Sequence, residues 1–204
     1  MNRNAIRLAA VLALAVSTAS MAAEEGFKPL FNGKDLTGWV TPEDKSLFKV
    51  EDGVIVGRTK GDLQKNEFLA TDKAYGDFVL KAKIKFKGNN SGIQFRSVRK
   101  PDGVVSGPQA DVAPGYWGLL YEERGRGILD QYPKEKAAAL VREGAYNEFV
   151  ITAKGDHVTI SLNGTVVNDV TDPKFDKSGI IAFQLHVGKP TEIQVKDVEI
   201  KTLD

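Results

Sequence analysis

Between residues 78 and 87 apolar and polar side chains alternate. Phe78, Leu80, Ala82, Ile84 and Phe86 share one face, and Lys81, Lys83, Lys85 and Lys87 share the other. A period of two predicts a half-buried strand; wound as a helix, the stretch would scatter lysines around its whole circumference. Phe149, Ile151 and Ala153 alternate in the same way, as do Val158, Ile160 and Leu162. The second of these runs ends at Asn163-Gly164, a strong hairpin signal, and Val166 and Val167 begin the return strand. Near the C-terminus Ile193 and Val195 alternate, and Val198 and Ile200 resume one residue out of phase. That slip predicts a β-bulge near Lys196-Asp197.

Turn-forming pairs recur at short intervals: Asn32-Gly33, Asp52-Gly53, Asn89-Asn90, Asp102-Gly103, Gly155-Asp156 and Asn163-Gly164. Many short strands separated by such turns predict an all-β fold, a two-sheet antiparallel β-sandwich or jelly roll. Pro133 to Glu143 is the one helical candidate. Internal repeats, linkers and low-complexity stretches are absent from the sequence.

Two strands depart from a bland outer face. In 92–97, Ile93 and Phe95 alternate with Gln94 and Arg96; in 180–186, Ile181, Phe183 and Leu185 alternate with Ala182, Gln184 and His186. Amide, guanidinium and imidazole groups are good partners for sugar hydroxyls, whereas an ordinary solvated face carries lysine and glutamate, as 81–87 does. Between these strands, 105–130 is rich in glycine, aromatics and charge, with Gln109, Asp111, Tyr116, Trp117, Tyr121, Glu122, Glu123, Arg124 and Arg126. Aromatic faces stack on sugar C–H surfaces while carboxylates meet hydroxyls. Trp117 is equally suited to plugging the core. His157, beside Gly155-Asp156, reads as a surface turn residue.

Composition narrows the picture. Arg3 and Arg7 precede an apolar run, Leu8 to Val16, and small residues Ser17 to Ser20. This order is that of a secretory signal, with cleavage expected after Ala22, so residues 1–22 are read as a leader and 23–204 as one domain, periplasmic or secreted. The run is shorter than the roughly 20 apolar residues a spanning helix needs, and no cysteine is present to carry a lipid, so no membrane anchor is expected. Without Arg3 and Arg7, the 28 bases fall to 26 against 27 acids, a net charge of −1. Such balance gives no footprint for nucleic acid. With no cysteines, disulfides and thiolate metal sites are excluded. The sequence lacks a phosphate-binding glycine loop, a Gly-x-Ser-x-Gly elbow, a His-Glu-x-x-His motif and the Glu-x-Asp-x-x-Glu pattern of sandwich-fold retaining glucanases. The last absence argues against a conventional two-carboxylate glycosidase.

The run Gly26-Phe27-Lys28-Pro29-Leu30-Phe31-Asn32-Gly33-Lys34-Asp35-Leu36-Thr37-Gly38-Trp39 resembles the opening of the 3-keto-disaccharide hydrolase domain family, formerly a domain of unknown function. Asn90-Ser91-Gly92-Ile93-Gln94-Phe95-Arg96-Ser97 is similar to that family's most recognisable motif. Gly107-Pro108-Gln109-Ala110-Asp111, Gly118-Leu119-Leu120-Tyr121, Leu162-Asn163-Gly164 and Gly179 to His186 continue the resemblance in order. Departures are Pro108, where many members carry Tyr, and Tyr146, where Trp is expected before Asn147. The resemblance implies a concanavalin-A-like jelly roll and a 3-keto-glycoside or 3-keto-disaccharide as carbohydrate substrate.

Oxidation at C3 makes the C2 proton acidic, so its removal can expel the C1 leaving group; water can then add back. This needs a base, a stabiliser for charge on O3 and a proton donor. His186 is the candidate base or acid, Arg96 the oxyanion partner, and Asp111 a base or metal ligand. Glu122 and Glu123 are further candidates for the acid. Gln94, Gln109, Trp117, Tyr121, Gln184 and Glu122 are expected to bind substrate. A divalent cation is the alternative electrophile to Arg96, and a sugar oxidoreductase is the expected upstream partner. The rival readings are a non-catalytic carbohydrate-binding module with the same groove and an accessory domain supporting a partner enzyme.

Overall fold

A computed structural model describes residues 25–203; the leader read at 1–22 lies outside the described residues. The elements in chain order are β1 (Lys28–Pro29), β2 (Trp39–Val40), β3 (Phe48–Glu51), β4 (Val54–Thr59), β5 (Glu67–Thr71), β6 (Phe78–Lys87), β7 (Ser91–Arg99), β8 (Val105–Val112), β9 (Leu120–Glu123) and β10 (Gly127–Asp130). After helix α1 (Lys134–Leu140) come β11 (Asn147–Lys154), β12 (His157–Leu162), β13 (Thr165–Thr171), β14 (Ile180–Leu185) and β15 (Thr191–Thr202). They form two antiparallel sheets. One runs β13-β12-β11-β6-β15-β4-β3, with β1 on β15; the other runs β10-β9-β8-β7-β14-β5-β2.

The alternating faces close on each other. Phe78, Leu80, Ile84, Phe149, Ile151 and Ile160 from the first sheet meet Ile93, Phe95, Leu120, Ile181, Phe183 and Leu185 from the second. Trp39 stacks on Phe183 with ring centroids 5.4 Å apart. Truncating a ring such as Phe183 to Ala would leave a cavity costing about 3–5 kcal/mol. The β12–β13 turn has both Asn163 (φ 49°) and Gly164 (φ 85°) in the left-handed region, which the tight hairpin demands. The expected bulge is present: pairing of β15 with β6 slips between Lys196 and Glu199, and Asp197 has φ 50°. The slip returns Val198 and Ile200 to the core. The helix is shorter than the 133–143 expectation, because the chain turns extended at Val141.

A second bulge overturns part of the strand parity. Pairing of β7 with β8 shifts between Gln94 and Val98, and Arg96 sits there at φ 44°. Its side chain turns off the Gln94 face and is fully buried. Nε donates to Gly76 O (2.9 Å), one terminal nitrogen to Gly155 O (2.7 Å), and the other pairs with Asp77. Arg96 thus bolts the β6 and β11–β12 ends to β7.

The outer face of the seven-stranded sheet is only partly open. Phe68, Ala70, Val104, Val105 and Ala182 form a small apolar cluster there, which seals the face over β5. The part running from β14 to β10 forms a groove.

Candidate functional site

Strand register builds the groove floor. Ala182 of β14 lies beside Gln94 of β7, Gln94 beside Gln109 of β8, and Gln109 beside Tyr121 of β9. In the next row Gly92 pairs with Asp111. Gly92 has no side chain, and a Cβ there would overlap the Gln109 side chain. The absent side chain leaves Gln109 room to reach Asp111. A buried relay results. Ser97 Oγ donates to Gln94 Oε1 (2.7 Å), Gln94 Nε2 donates to Gln109 Oε1 (2.9 Å), and Gln109 Nε2 donates to Asp111 Oδ1 (2.6 Å). Through this chain Ser97, Gln94 and Gln109 together hold the Asp111 side chain in place.

Asp111 opens into a pocket of about 320 Å³, lined by Asn90, Gln109, Asp111, Tyr116, Leu119, Tyr121, Glu123, Ile128 and His186. Burial disfavours the ionised carboxylate and pushes the Asp111 carboxyl up to about 7; the nearby Glu123 charge adds to this, and the Gln109 hydrogen bond opposes it. Near neutrality a large fraction of Asp111 is therefore a neutral acid able to donate.

His186 follows the last residue of β14, and its Nδ1 lies 2.6 Å from Val187 O. A carbonyl only accepts, so Nδ1 carries the hydrogen and the neutral ring keeps its lone pair on Nε2. Glu123 accepts from Gln184 Nε2 (3.2 Å) and from Asn66 Nδ2 (3.4 Å). Asn66 Oδ1 in turn accepts from the Val187 amide (2.9 Å), tying the carboxylate to the His186 turn. Among the buried acceptors that lack a hydrogen-bond partner in the described residues, Asn90 Oδ1 belongs to the pocket lining, and Gln184 Oε1 belongs to the fully buried side chain that holds Glu123. An unmet buried acceptor typically costs about 1–3 kcal/mol, and at Asn90 a ligand hydroxyl is the natural donor to relieve it.

Of the residues singled out from sequence, Asp111, Gln109, Tyr121 and His186 line one pocket. Gln184 joins through Glu123, and Gln94 lies beneath as a support for Gln109. Three others do not join them. Arg96 is taken away by the β7 bulge, so it is not available to an oxyanion. Trp117 lies in the core, stacked on Phe149 (6.4 Å) and edge-on to Phe86 (5.9 Å). Glu122 turns off the Tyr121 face and is held by the Arg126 guanidinium at 2.8 Å. Its neighbour Glu123 enters the pocket instead, as the two-residue period from Tyr121 requires. Asn90, Tyr116, Leu119 and Ile128 complete the lining; no periodicity marks Asn90 or Tyr116, because both sit in turns.

A larger hollow of about 590 Å³ lies by Leu47, Lys49, Arg58, Lys87 and Pro190. Arg58 within it is already neutralised by Glu51 (2.6 Å) and Glu192 (2.8 Å). The smaller groove has the better claim to chemistry. Among the described residues no three His, Asp or Glu side chains gather as a metal cluster. No catalytic step is assigned to a divalent cation.

The sequence profile of the 3-keto-alpha-glucoside-1,2-lyase-like domain matches residues 26–201. Among solved structures, a protein from Parabacteroides distasonis described as a candidate glycosyl hydrolase is similar at 25% identity and TM-score 0.66, covering 88% of this chain and 95% of that one. The β-glucanase of Bacillus licheniformis shares the fold at 14% identity and TM-score 0.63, covering 87% of this chain and 97% of that one. The carbohydrate-binding module CBM66 of Bacillus subtilis does so at 17% identity and TM-score 0.56, covering 87% and 96%. No curated protein matches the sequence. The chain belongs to the 3-keto-alpha-glucoside-1,2-lyase-like family, on a jelly-roll sandwich that glycosyl hydrolases and carbohydrate-binding modules share.

Proposed function

We propose that the groove binds a 3-keto-glycoside and cleaves it by removing the C2 proton and expelling the C1 substituent. The observation that carries this reading is the pairing, in one pocket, of an imidazole with its lone pair on Nε2 and a carboxyl raised to about 7. The first is equipped to take a proton, and the second to donate a hydrogen bond.

The step balances on these two groups. His186 Nε2 takes the C2 proton, and the C–H electron pair becomes an enolate with charge on O3. The Asp111 acid donates a hydrogen bond to O3 as that charge grows, the role first expected of Arg96. The electrons then return, C1=C2 forms, and the C1–O bond breaks. The leaving oxygen takes the proton that His186 has gained. Addition of water to the unsaturated sugar completes a net hydrolysis. Asn90, which lines the pocket with an unmet acceptor, accepts from a sugar hydroxyl, Gln184 holds Glu123 from beneath, and the Tyr121 ring supports a sugar face.

The substrate must come from a reaction that oxidises a glycoside at C3, the work of a sugar oxidoreductase. The leader-like sequence at 1–22 supports export, with a chain beginning near Ala23; an intact mass that retained Met1 to Ala22 on exported protein would overturn this. Turnover is tested by incubating the protein with a 3-keto-glucoside and its unoxidised parent. Release of aglycone from the first alone supports the enzyme. Binding without release from either assigns the groove to a carbohydrate-binding module.

A further inference from the structure

We propose that Tyr116 and Ile128 form a subsite for an apolar, non-sugar aglycone, an alkyl or aryl alcohol. The proposal rests on the groove being a glycoside site.

Among the described residues four large apolar side chains stand exposed, and two of them, Tyr116 (41%) and Ile128 (56%), border this one pocket. Ile128 belongs to β10, the edge strand of its sheet. Edge strands are normally blunted by charge, since exposed apolar edges invite association. Tyr116 is held by the Lys134 ammonium, 4.6 Å above its ring.

The pocket is also graded in polarity. Asp111 lies on β8, and Asn90, whose acceptor is unmet, immediately precedes β7. Ile128 pairs with Tyr121, which pairs with Gln109. Two strand spacings, about 10 Å, thus separate Ile128 from the polar row. A sugar ring seated on Asp111 ends before Ile128, so a substituent on C1 pointing in that direction meets Ile128, Leu119 and the tyrosine rings. A second sugar would lose water from its hydroxyls there against Ile128 and Leu119, which return no hydrogen bonds. An alkyl or aryl group would gain by burial.

Affinity isolates the subsite from leaving-group reactivity. The His186→Ala protein is titrated calorimetrically with methyl 3-keto-glucoside, hexyl 3-keto-glucoside and a 3-keto-disaccharide. The hexyl compound is expected to bind at least about ten-fold tighter than the other two, as a few buried methylenes imply. Adding Ile128→Ser should remove that preference while leaving methyl affinity unchanged, and Ile128→Leu should restore it. Equal binding of all three ligands, or tighter binding of the disaccharide, leaves the groove reading standing and overturns the subsite. Loss of methyl and hexyl affinity together in Ile128→Ser overturns it also. If none of the three binds, the glycoside reading fails and the subsite fails with it.

Discussion

Gln109 donates a 2.6 Å hydrogen bond to Asp111, yet the Asp111 carboxyl stays raised to about 7. One amide donor does not replace the water that burial removes from a carboxylate. The folded protein therefore prefers Asp111 protonated, whereas the unfolded chain ionises it near its ordinary 3.8. The stability from this group is complete below about pH 4 and is lost as pH rises through about 7.

Asp111→Asn keeps the Gln109 bond and stays neutral. It should be more stable than the wild type at pH 8, on the order of 2–4 kcal/mol for a shift of this size, and little different at pH 4. Because Asn still donates a hydrogen bond, some turnover should survive, and the wild-type decline in rate above about pH 7 should vanish. Thermal melts and pH–rate profiles of the two proteins check both expectations. A variant that keeps the decline removes Asp111 from the role of acid.

His186→Ala should cut turnover by roughly 10²–10⁴-fold, the usual cost of losing a general base. His186 is half-buried and bonded only to its neighbour's carbonyl, so the melting temperature should barely move. Single-turnover rates beside a melt separate this from a structural role, in which both would fall together.

Gly92→Ala tests the relay without touching a polar atom. The backbone there is not in the left-handed region, so any effect comes from the new Cβ meeting Gln109. Gln109 should be displaced, Asp111 should lose its donor, and the Asp111 pH limb should move upward. An unchanged pH limb would show that the relay does not position Asp111.

Arg96→Ala should destabilise the fold by about 3–5 kcal/mol, as expected for breaking a buried ion pair and freeing two carbonyls. The rate per folded molecule, measured well below the melt, should change little. A large fall in that rate with the fold intact would return Arg96 to the chemistry.

Much of this molecule is legible in its alternation. The runs at 78–87 and 149–162 carry one residue type per face, so strand, face and hairpin follow from a period of two. The same period brings Gln94, Gln184 and His186 to one side, and it selects Glu123 over Glu122 once Tyr121 is placed. It fails at Arg96, because a bulge adds a residue and rotates the strand beyond it, and the short mixed stretch Ser97-Val98-Arg99 has too few apolar positions to record a change of phase. The bulge near Asp197 was readable because the apolar positions around it change phase. Trp117 was ambiguous for another reason: an indole suits a core and a sugar face equally, and only the contacts with Phe86 and Phe149 decide.

The central claim, C2 proton removal from a 3-keto-glycoside, is tested most directly with a 3-keto-glucoside carrying deuterium at C2. Wild-type protein should release the aglycone more slowly than from the unlabelled compound, and the sugar product should have lost the label from C2. Release at an equal rate with the label retained, or no release from either compound, would contradict the account.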